Sequence, residues 1–543
     1  MNLNVLRAKM RSVFLLSLLL VFTASAEDQP IVETCSGKVR GFTSTSRSGR
    51  NYFAFTGIPF AKAPVGELRF QPPQEVEPWF GIKNATEDGP FCVQYNMFEL
   101  DAEVVGEEDC LHLSVFTHDV NGSAPVMVHI HGGGFFSGDK SITGPQYLMD
   151  EDVVVMDMNY RLGILGFLSL EDTIMPGNQG LKDQNMALRW MIKNIARFGG
   201  NPNRVTLVGE SAGGGSVLHH MISAMSKGFF QGAVVESGSI YSMVNLLPPE
   251  VAKRRAKKLA NLLSCPHEDT KKTVLCLQQK NAKDLVGHLK YFREWQVDPL
   301  LLFQPVLEPN IPGALVTGPI RSWEPNKIPM MIGTTSAEGL QRTKYFVDYD
   351  MDFKWYSNNF EKVAPLSLRY LDSTSNPEMV TRAIKHFYFN NREITKADWI
   401  NLTNAYTDAY FTAGIFDAAN KHTGDTYFYY FDYVGEYTKG TEDRNYTFGA
   451  AHVDEIIYLW YNKKYAPLKG KDLELSMKLI KIWTDFAKYG KVMSPEKDES
   501  WNKWTQEAHN YLHISKNGFK AKKGLHDDRY KFWSSINYRD KFE

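Results

Sequence analysis

A serine wedged between small residues, Gly209-Glu210-Ser211-Ala212-Gly213, is the group in this 543-residue chain whose surroundings best suit nucleophilic chemistry. Before it, Arg204-Val205-Thr206-Leu207-Val208 reads as a buried strand bounded by the loop Gly199-Gly200-Asn201-Pro202-Asn203. After it, Ala212 to Met225 has the alanine, leucine and methionine to begin a helix. Ser211 then occupies a sharp strand-to-helix turn, a nucleophile elbow, whose strained backbone leaves room only for small residues at Gly209 and Gly213. The helix also aims its first amides at any negative charge that develops beside the serine. G-x-S-x-G alone recurs by accident, so the strand and the helix around it carry the reading.

A serine hydroxyl of ordinary acidity is a weak nucleophile and needs a base within reach and donors for an oxyanion. Pro125 to Ile130 reads as a strand running into His131-Gly132-Gly133-Gly134-Phe135. Consecutive glycines let two backbone N–H groups face a cavity unobstructed, and the amide of Ala212 can supply a third donor. A phosphate loop is the rival reading, but Gly138-Asp139-Lys140-Ser141 lacks the Gly-Lys-Ser/Thr arrangement that opens a helix. A metal site on His129 and His131 lacks a nearby third ligand.

In this chain order the acid follows a later strand. Ile328 to Gly333 is such a strand, and Thr334-Thr335-Ser336-Ala337-Glu338-Gly339 is the loop at its carboxyl end, which makes Glu338 the acid. Its role would be to fix the imidazole's tautomer and stabilise the imidazolium. Six histidines follow it: His386, His422, His452, His509, His513 and His526. His386 falls in a helical segment, Val380 to Phe389, and the last three lie in a polar C-terminal stretch where exposed histidines are common. His452 stands apart, because Thr426 to Phe431 reads as the last interior strand and Gly449-Ala450-Ala451-His452 is a small-residue loop beyond it.

The elements that must position these groups call for one large α/β domain, since no linker, charge block or internal repeat divides the chain. With 43% apolar residues and a net charge of -1, nothing electrostatic favours nucleic acid or an anionic membrane as partner. The aromatic share of 13% suits a core or an apolar gorge, with core as the default. Lys9 and Arg11, the apolar run Val13 to Phe22 and Ala24-Ser25-Ala26 read as a signal peptide over residues 1–26, too short for a stable membrane anchor. Secretion is the expectation, and sequons at Asn84, Asn121, Asn401 and Asn445 agree with it. Among five cysteines, Cys92 with Cys110 and Cys265 with Cys276 are sequence neighbours that would each close a short loop. Cys35 is left over, either paired between chains or, as expected here, a buried inert thiol. Lys253-Arg254-Arg255-Ala256-Lys257-Lys258 reads as a solvated helix face, and His219-His220 as helix packing.

Gly57-Ile58-Pro59-Phe60-Ala61, Glu108-Asp109-Cys110-Leu111, the glycine run after His131, Asn159-Tyr160-Arg161-Leu162-Gly163, Asp183-Gln184-Asn185 and Gly209 to Gly213 together resemble the type-B carboxylesterase/cholinesterase family. The resemblance covers nearly all of residues 27–543, read as a single domain, and is strongest to secreted insect carboxylesterases. It implies an α/β-hydrolase fold: a large mixed, mostly parallel sheet covered by helices on both faces, with a gorge leading to the serine. By it Ser211, Glu338 and His452 fall on the family's triad, Gly133, Gly134 and Ala212 on its oxyanion hole, and Cys92 with Cys110 and Cys265 with Cys276 on its disulfides. The implied activity is hydrolysis of small carboxylic esters, sensitive to organophosphates and without cofactor or metal. Acetylcholinesterases carry a tryptophan in the first disulfide loop to stack a quaternary ammonium, and Val93 to Asp109 has none. Juvenile hormone esterases of the family typically place glutamine before the nucleophile, where this chain has Glu210. After Ser237-Gly238-Ser239, relatives often set a tryptophan against the acyl group; Val244 stands about there and would leave more room. Two rivals share the fold: a secreted binding or adhesion protein, and an esterase that mainly sequesters its ligand. A lipase acting on aggregated substrate is a further enzymatic alternative.

Overall fold

The computed structural model describes residues 29–348, 351–441, 448–493 and 500–542. The segment read as a signal peptide and the sequon at Asn445 lie outside the described residues.

Eleven strands form the main sheet. In chain order they are β1 (Phe42–Thr45), β2 (Asn51–Pro59), β3 (His112–Thr117), β4 (Ala124–Ile130), β5 (Val154–Met158), β6 (Gly200–Glu210), β7 (Gly232–Glu236), β8 (Met330–Thr335), β9 (Thr426–Asp432), β10 (Tyr511–Ser515) and β11 (Gly518–Lys522). Across the sheet they lie in the order β11-β10-β9-β8-β7-β6-β4-β5-β3-β2-β1. The run from β5 through β4 and β6 to β10 is parallel, and antiparallel pairs close both ends. β9 is therefore not the last interior strand, because β10 pairs beyond it in parallel.

The central strands are apolar almost throughout because both faces are covered. Alternate side chains separate into two packed layers: Val126, Val128, Ile130 and Leu207 lie in one, while Met127, Val155, Val208 and Met331 lie in the other. The first layer packs under helices α1 (Gln179–Asn194) and α2 (Ala212–Ile222), through Leu188, Met191, Leu218 and Met221. A further helix, α3 (Val251–Leu262), adds Ala256 and Leu259 to it. The second layer packs against α4 (Gly470–Tyr489), through Leu479, Ile482, Trp483 and Phe486. Most aromatic side chains fill these layers.

β4 has β5 on one side and β6 on the other, so the chain reverses its direction of winding between β5 and β6. Ligands of open α/β sheets bind in the crevice at such a point, beyond the strand C-termini. The glycine run follows β4 and the elbow follows β6, so both loops meet there. Both short cysteine loops are closed, by Cys92–Cys110 and Cys265–Cys276. Cys35 is a free thiol, but an exposed one and not the expected buried one. It occupies the two-residue turn between the strands Ile31–Thr34 and Gly37–Arg40 at the surface, with Sγ 3.6 Å from the Lys193 carbonyl.

Candidate active site

Ser211 sits at φ 59 and ψ -118, a backbone state that L residues rarely adopt, as the residue that leaves β6 and opens α2. Its amide donates to the carbonyl of Glu236 at 2.7 Å, which ties the turn to β7. A Cβ at Gly213 would stand 1.9 Å from the carbonyl oxygen of Ile130, and one at Gly209 would stand 2.5 Å from the backbone of Gly213. The elbow's glycines are thus set by how closely helix α2 approaches strands β4 and β6.

His452 Nε2 lies 2.9 Å from Ser211 Oγ, and its Nδ1 lies 2.5 Å from Glu338 Oε2. All three predicted residues meet, although 114 and 241 positions separate His452 from its two partners. An ionised carboxylate only accepts, so Nδ1 carries the hydrogen and Nε2 is left to accept from the serine hydroxyl. The other oxygen of Glu338 accepts from Ser237 Oγ at 2.5 Å and from Thr334 Oγ1 and the Thr335 amide at 2.8 Å each. Burial pushes the Glu338 pKa upward, but the charge of His452 and these donors outweigh it and hold the acid below the ordinary glutamate value. The acid and base loops are laced together: the Ala337 amide donates to the Ala450 carbonyl and the Ala450 amide to Ser336 Oγ, both at 2.8 Å.

Gly133 and Gly134 have φ of 97 and 63, and with Ala212 and Ser211 they line a cavity of about 230 Å³. At Gly133 a Cβ would fall 2.0 Å from the Ser137 carbonyl oxygen, and at Gly134 it would strike Phe136 and Leu301. The loop is braced from behind by Glu210, whose Oε1 accepts from the Gly132 amide at 2.6 Å while Oε2 faces His129 Nε2 at 2.9 Å. Burial alone would lower the His129 pKa and raise that of Glu210; their mutual attraction reverses both, so His129 is raised and Glu210 lowered. His129 packs on Trp460 with ring centroids 4.2 Å apart, and His131 stacks on Tyr160 at 4.4 Å. Both histidines thus hold the loop in place.

Apolar side chains dominate the cavity, among them Phe98, Val244, Leu301, Tyr410, Phe411 and Trp460, with Gln341, Lys439 and Asn462 as polar members. Val244, expected from the resemblance near the acyl group, lines the cavity. Phe411 stacks on His452 with centroids 4.2 Å apart. It reaches there through a π-helical turn, Asp408–Thr412, between the helices Trp399–Thr407 and Ala413–Lys421. π turns cluster at functional sites, yet their extra residue leaves no mark in hydrophobic periodicity.

Sequence reasoning missed the parts played by Ser237, Phe411, Trp460 and the His129–Glu210 pair. Ser237 alone had a signal, a small polar residue just past the end of a core strand. Two other expectations need correction. The C-terminal histidines are not exposed: His509 is buried against Trp504, and His513 and His526 are partly buried around Tyr430, because β10, β11 and the last helix fold back onto the sheet. The basic helix α3 is not simply a solvated face, since Arg255 turns inward to the carbonyls of Leu301 and Leu302. His219 and His220 pack as expected, hydrogen-bonded to the Asn245 carbonyl and to Ser226 and Gln184, and burial lowers their pKa values to about 4 and about 3.

A family model described as "Carboxylesterase family" matches residues 28–533. Esterase FE4 of Myzus persicae is 36% identical over 506 residues, 88% of this chain and 87% of its own. Juvenile hormone esterase of Tribolium castaneum is 35% identical over 570 residues, 96% of each chain. Among solved structures, juvenile hormone esterase from Manduca sexta with OTFP covalently attached superposes with a TM-score of 0.82 at 29% identity, covering 94% of this chain and 99% of that one.

Proposed function

The chain belongs to the carboxylesterase family and is a carboxylic ester hydrolase of α/β-hydrolase fold, and we propose that it works through Ser211, His452 and Glu338 on small, largely apolar esters outside the cell. The continuous relay from Ser211 Oγ through His452 to Glu338 at the foot of an apolar cavity is the observation that carries this reading. His452 Nε2 takes the serine proton as Oγ attacks the ester carbonyl carbon. The carbonyl oxygen becomes an oxyanion, held by the amides of Gly133, Gly134 and Ala212. Collapse breaks the bond to the alcohol, which leaves with the proton from His452. Water then repeats the sequence on the acyl-enzyme and releases the carboxylic acid. Glu338 remains ionised throughout and stabilises the imidazolium. Besides the ester only water is consumed, because the serine supplies the first nucleophile and the histidine returns each proton it takes.

The apolar lining and the short side chain of Val244 favour a broad acyl range, and the absence of tryptophan from Val93 to Asp109 speaks against choline esters. Secretion rests on the leader read over residues 1–26, the two closed disulfides and the sequons, with residues 27–543 as one catalytic domain. Asn84 and Asn121 are exposed and are the best glycan acceptors, whereas the Asn401 sequon has its Thr403 hydroxyl buried on the Trp399 carbonyl. Among the described residues no helix is long and apolar enough to cross a membrane.

Turnover of chromogenic esters of graded acyl length tests the reading. The wild type should hydrolyse short and medium chains, and Ser211→Ala should not; activity that survives in the variant would overturn the mechanism. A second reading, juvenile hormone as the substrate, is favoured by the two similar hormone esterases and opposed by Glu210. Comparing kcat/KM for the hormone and for a short aryl ester decides between them.

A further inference from the structure

A second cavity lies on the other side of one wall of the Ser211 cavity. Leu300 and Leu301 line the first, while Pro299 and Leu302 line the second, whose volume is about 170 Å³. Four cations border it, Arg254, Arg255 and Lys258 from α3 and Arg369, against two carboxylates, Glu294 and Asp372. Asp372 is already divided between Arg254 at 2.7 Å and Arg255 at 3.2 Å. Among the described residues no carboxylate lies within ion-pair distance of Arg369 or Lys258.

Arg369 is only 9% exposed, and its Nε has no hydrogen-bond partner among the described residues. Its terminal nitrogens donate to neutral acceptors, Nη1 to the Leu301 carbonyl at 2.9 Å and Nη2 to Gln304 Oε1 at 2.6 Å and the Met243 carbonyl at 3.4 Å. Lys258 lies over the ring of Phe292, 4.7 Å from its centroid. A buried charge without a counter-charge is costly. Burial and the nearness of Arg369 push the Arg255 pKa down to about 9, even though Asp372 pulls it up.

We propose that this cavity binds a small organic anion, a carboxylate on a short apolar chain, with the carboxylate against Lys258 and within the positive field of Arg254, Arg255 and Arg369. The exposed Lys258 ammonium can donate to a carboxylate directly, while Arg255 and Arg369, whose terminal nitrogens are already engaged, add positive charge behind it. Met243, Leu302 and Leu366 supply apolar surface for the chain, which an inorganic anion would leave unused. An apolar cavity of about 150 Å³ holds benzene, so this one accommodates a chain of about six carbons. Carboxylates of that kind are what ester hydrolysis releases, and the site lies one wall away from where they form.

Calorimetric titration of the intact protein with hexanoate, 1-hexanol and inorganic phosphate at neutral pH tests the proposal. Hexanoate should saturate one site, with 1-hexanol and phosphate about tenfold weaker or worse, the worth of a charge-assisted contact or of the buried chain. Lys258→Glu, at an exposed position of α3, should weaken hexanoate about tenfold or more with an unchanged melting profile. Arg369→Gln, which removes a positive charge, should also weaken binding; since Arg369 also holds the Leu301 wall, Lys258→Glu is the deciding variant. No saturable heat, equal affinity for 1-hexanol or phosphate, or wild-type affinity in Lys258→Glu would each overturn it, the last because hexanoate would then be in the Ser211 cavity.

Discussion

In the proposed mechanism Glu338 acts by remaining a charge. Its Oε1 accepts from three donors, so in Glu338→Gln the carbonyl oxygen would keep that position and the amide NH2 would face His452 Nδ1. The imidazole would then have to accept at Nδ1 and donate at Nε2, the tautomer that cannot take a proton from serine. We expect kcat to fall by about four orders of magnitude with the circular dichroism spectrum unchanged, and steady-state kinetics would show it. Gly133→Ala puts a methyl group against the Ser137 carbonyl and strains a φ of 97, which must displace the donor amides. Losing one such donor lowers turnover about a hundredfold, read as kcat on a chromogenic ester. The residues of this relay were legible in the sequence because each ends a strand in a short loop of small residues, and motif and chain order can find that. Phe411 and Trp460 were not, since an aromatic side chain in a helix or loop looks the same whether it faces a core or a cavity. Cys35 was misjudged for a similar reason: cysteine type argues for burial, while its place in a two-residue turn decides for exposure.

The elbow and the glycine loop are held by contacts between elements. Gly213→Ala would force α2 away from β4, because backbone faces backbone at 1.9 Å and no side chain can yield. Overpacking of this kind costs about 3 kcal/mol, measured as a shift in urea midpoint. The ends of β4 and β6 are joined by the His129–Glu210 pair. His129 is raised above its ordinary 6.5, so its share of stability is complete below about pH 6.5 and lost as pH climbs through the higher folded value. Glu210 is lowered below its ordinary 4.5, so its share is complete above about pH 4.5 and lost as pH falls through the lower folded value. Replacing His129 by Gln should therefore cost most between those limits, about 3 kcal/mol, and progressively less above pH 7; denaturant melts at pH 5.5 and 8.5 would reveal the narrowing. The strands at the site followed from apolar runs ending in loops, and the mostly parallel sheet from the family resemblance. The extra parallel strand β10 did not, because Tyr511–Ser515 carries a histidine and lies in a polar stretch, and only its pairing with β9 makes it interior.

At the scale of the whole molecule, the sheet buries a carboxylate that makes no ion pair among the described residues. Glu236, at the end of β7, is raised to about 8 by burial and then by the nearby Glu210 charge, with Trp483 Nε1 donating to it at 2.6 Å. An acid whose folded pKa is raised contributes stability that is complete below its unfolded value near 4.5 and lost as pH rises through about 8. Stability should thus decline across that window with a slope approaching 1.4 kcal/mol per pH unit, roughly. Glu236→Gln, which can still accept from Trp483, should remove that slope and be more stable than the wild type at pH 8 relative to pH 5, read by chemical denaturation at both. Such groups were invisible in the sequence, where a glutamate ending a strand reads as solvated. The buried His452 pairs with a neighbouring anion, Glu338, and Ser211 is the hydroxyl it faces. Intact-mass and peptide mapping after reaction with an organophosphate tests that pairing most directly. A single phosphyl adduct per chain, located on Ser211, absent from Ser211→Ala and formed in step with loss of esterase activity, is the predicted result; inhibition without an adduct on Ser211, or an adduct that persists elsewhere in Ser211→Ala together with activity, would contradict it.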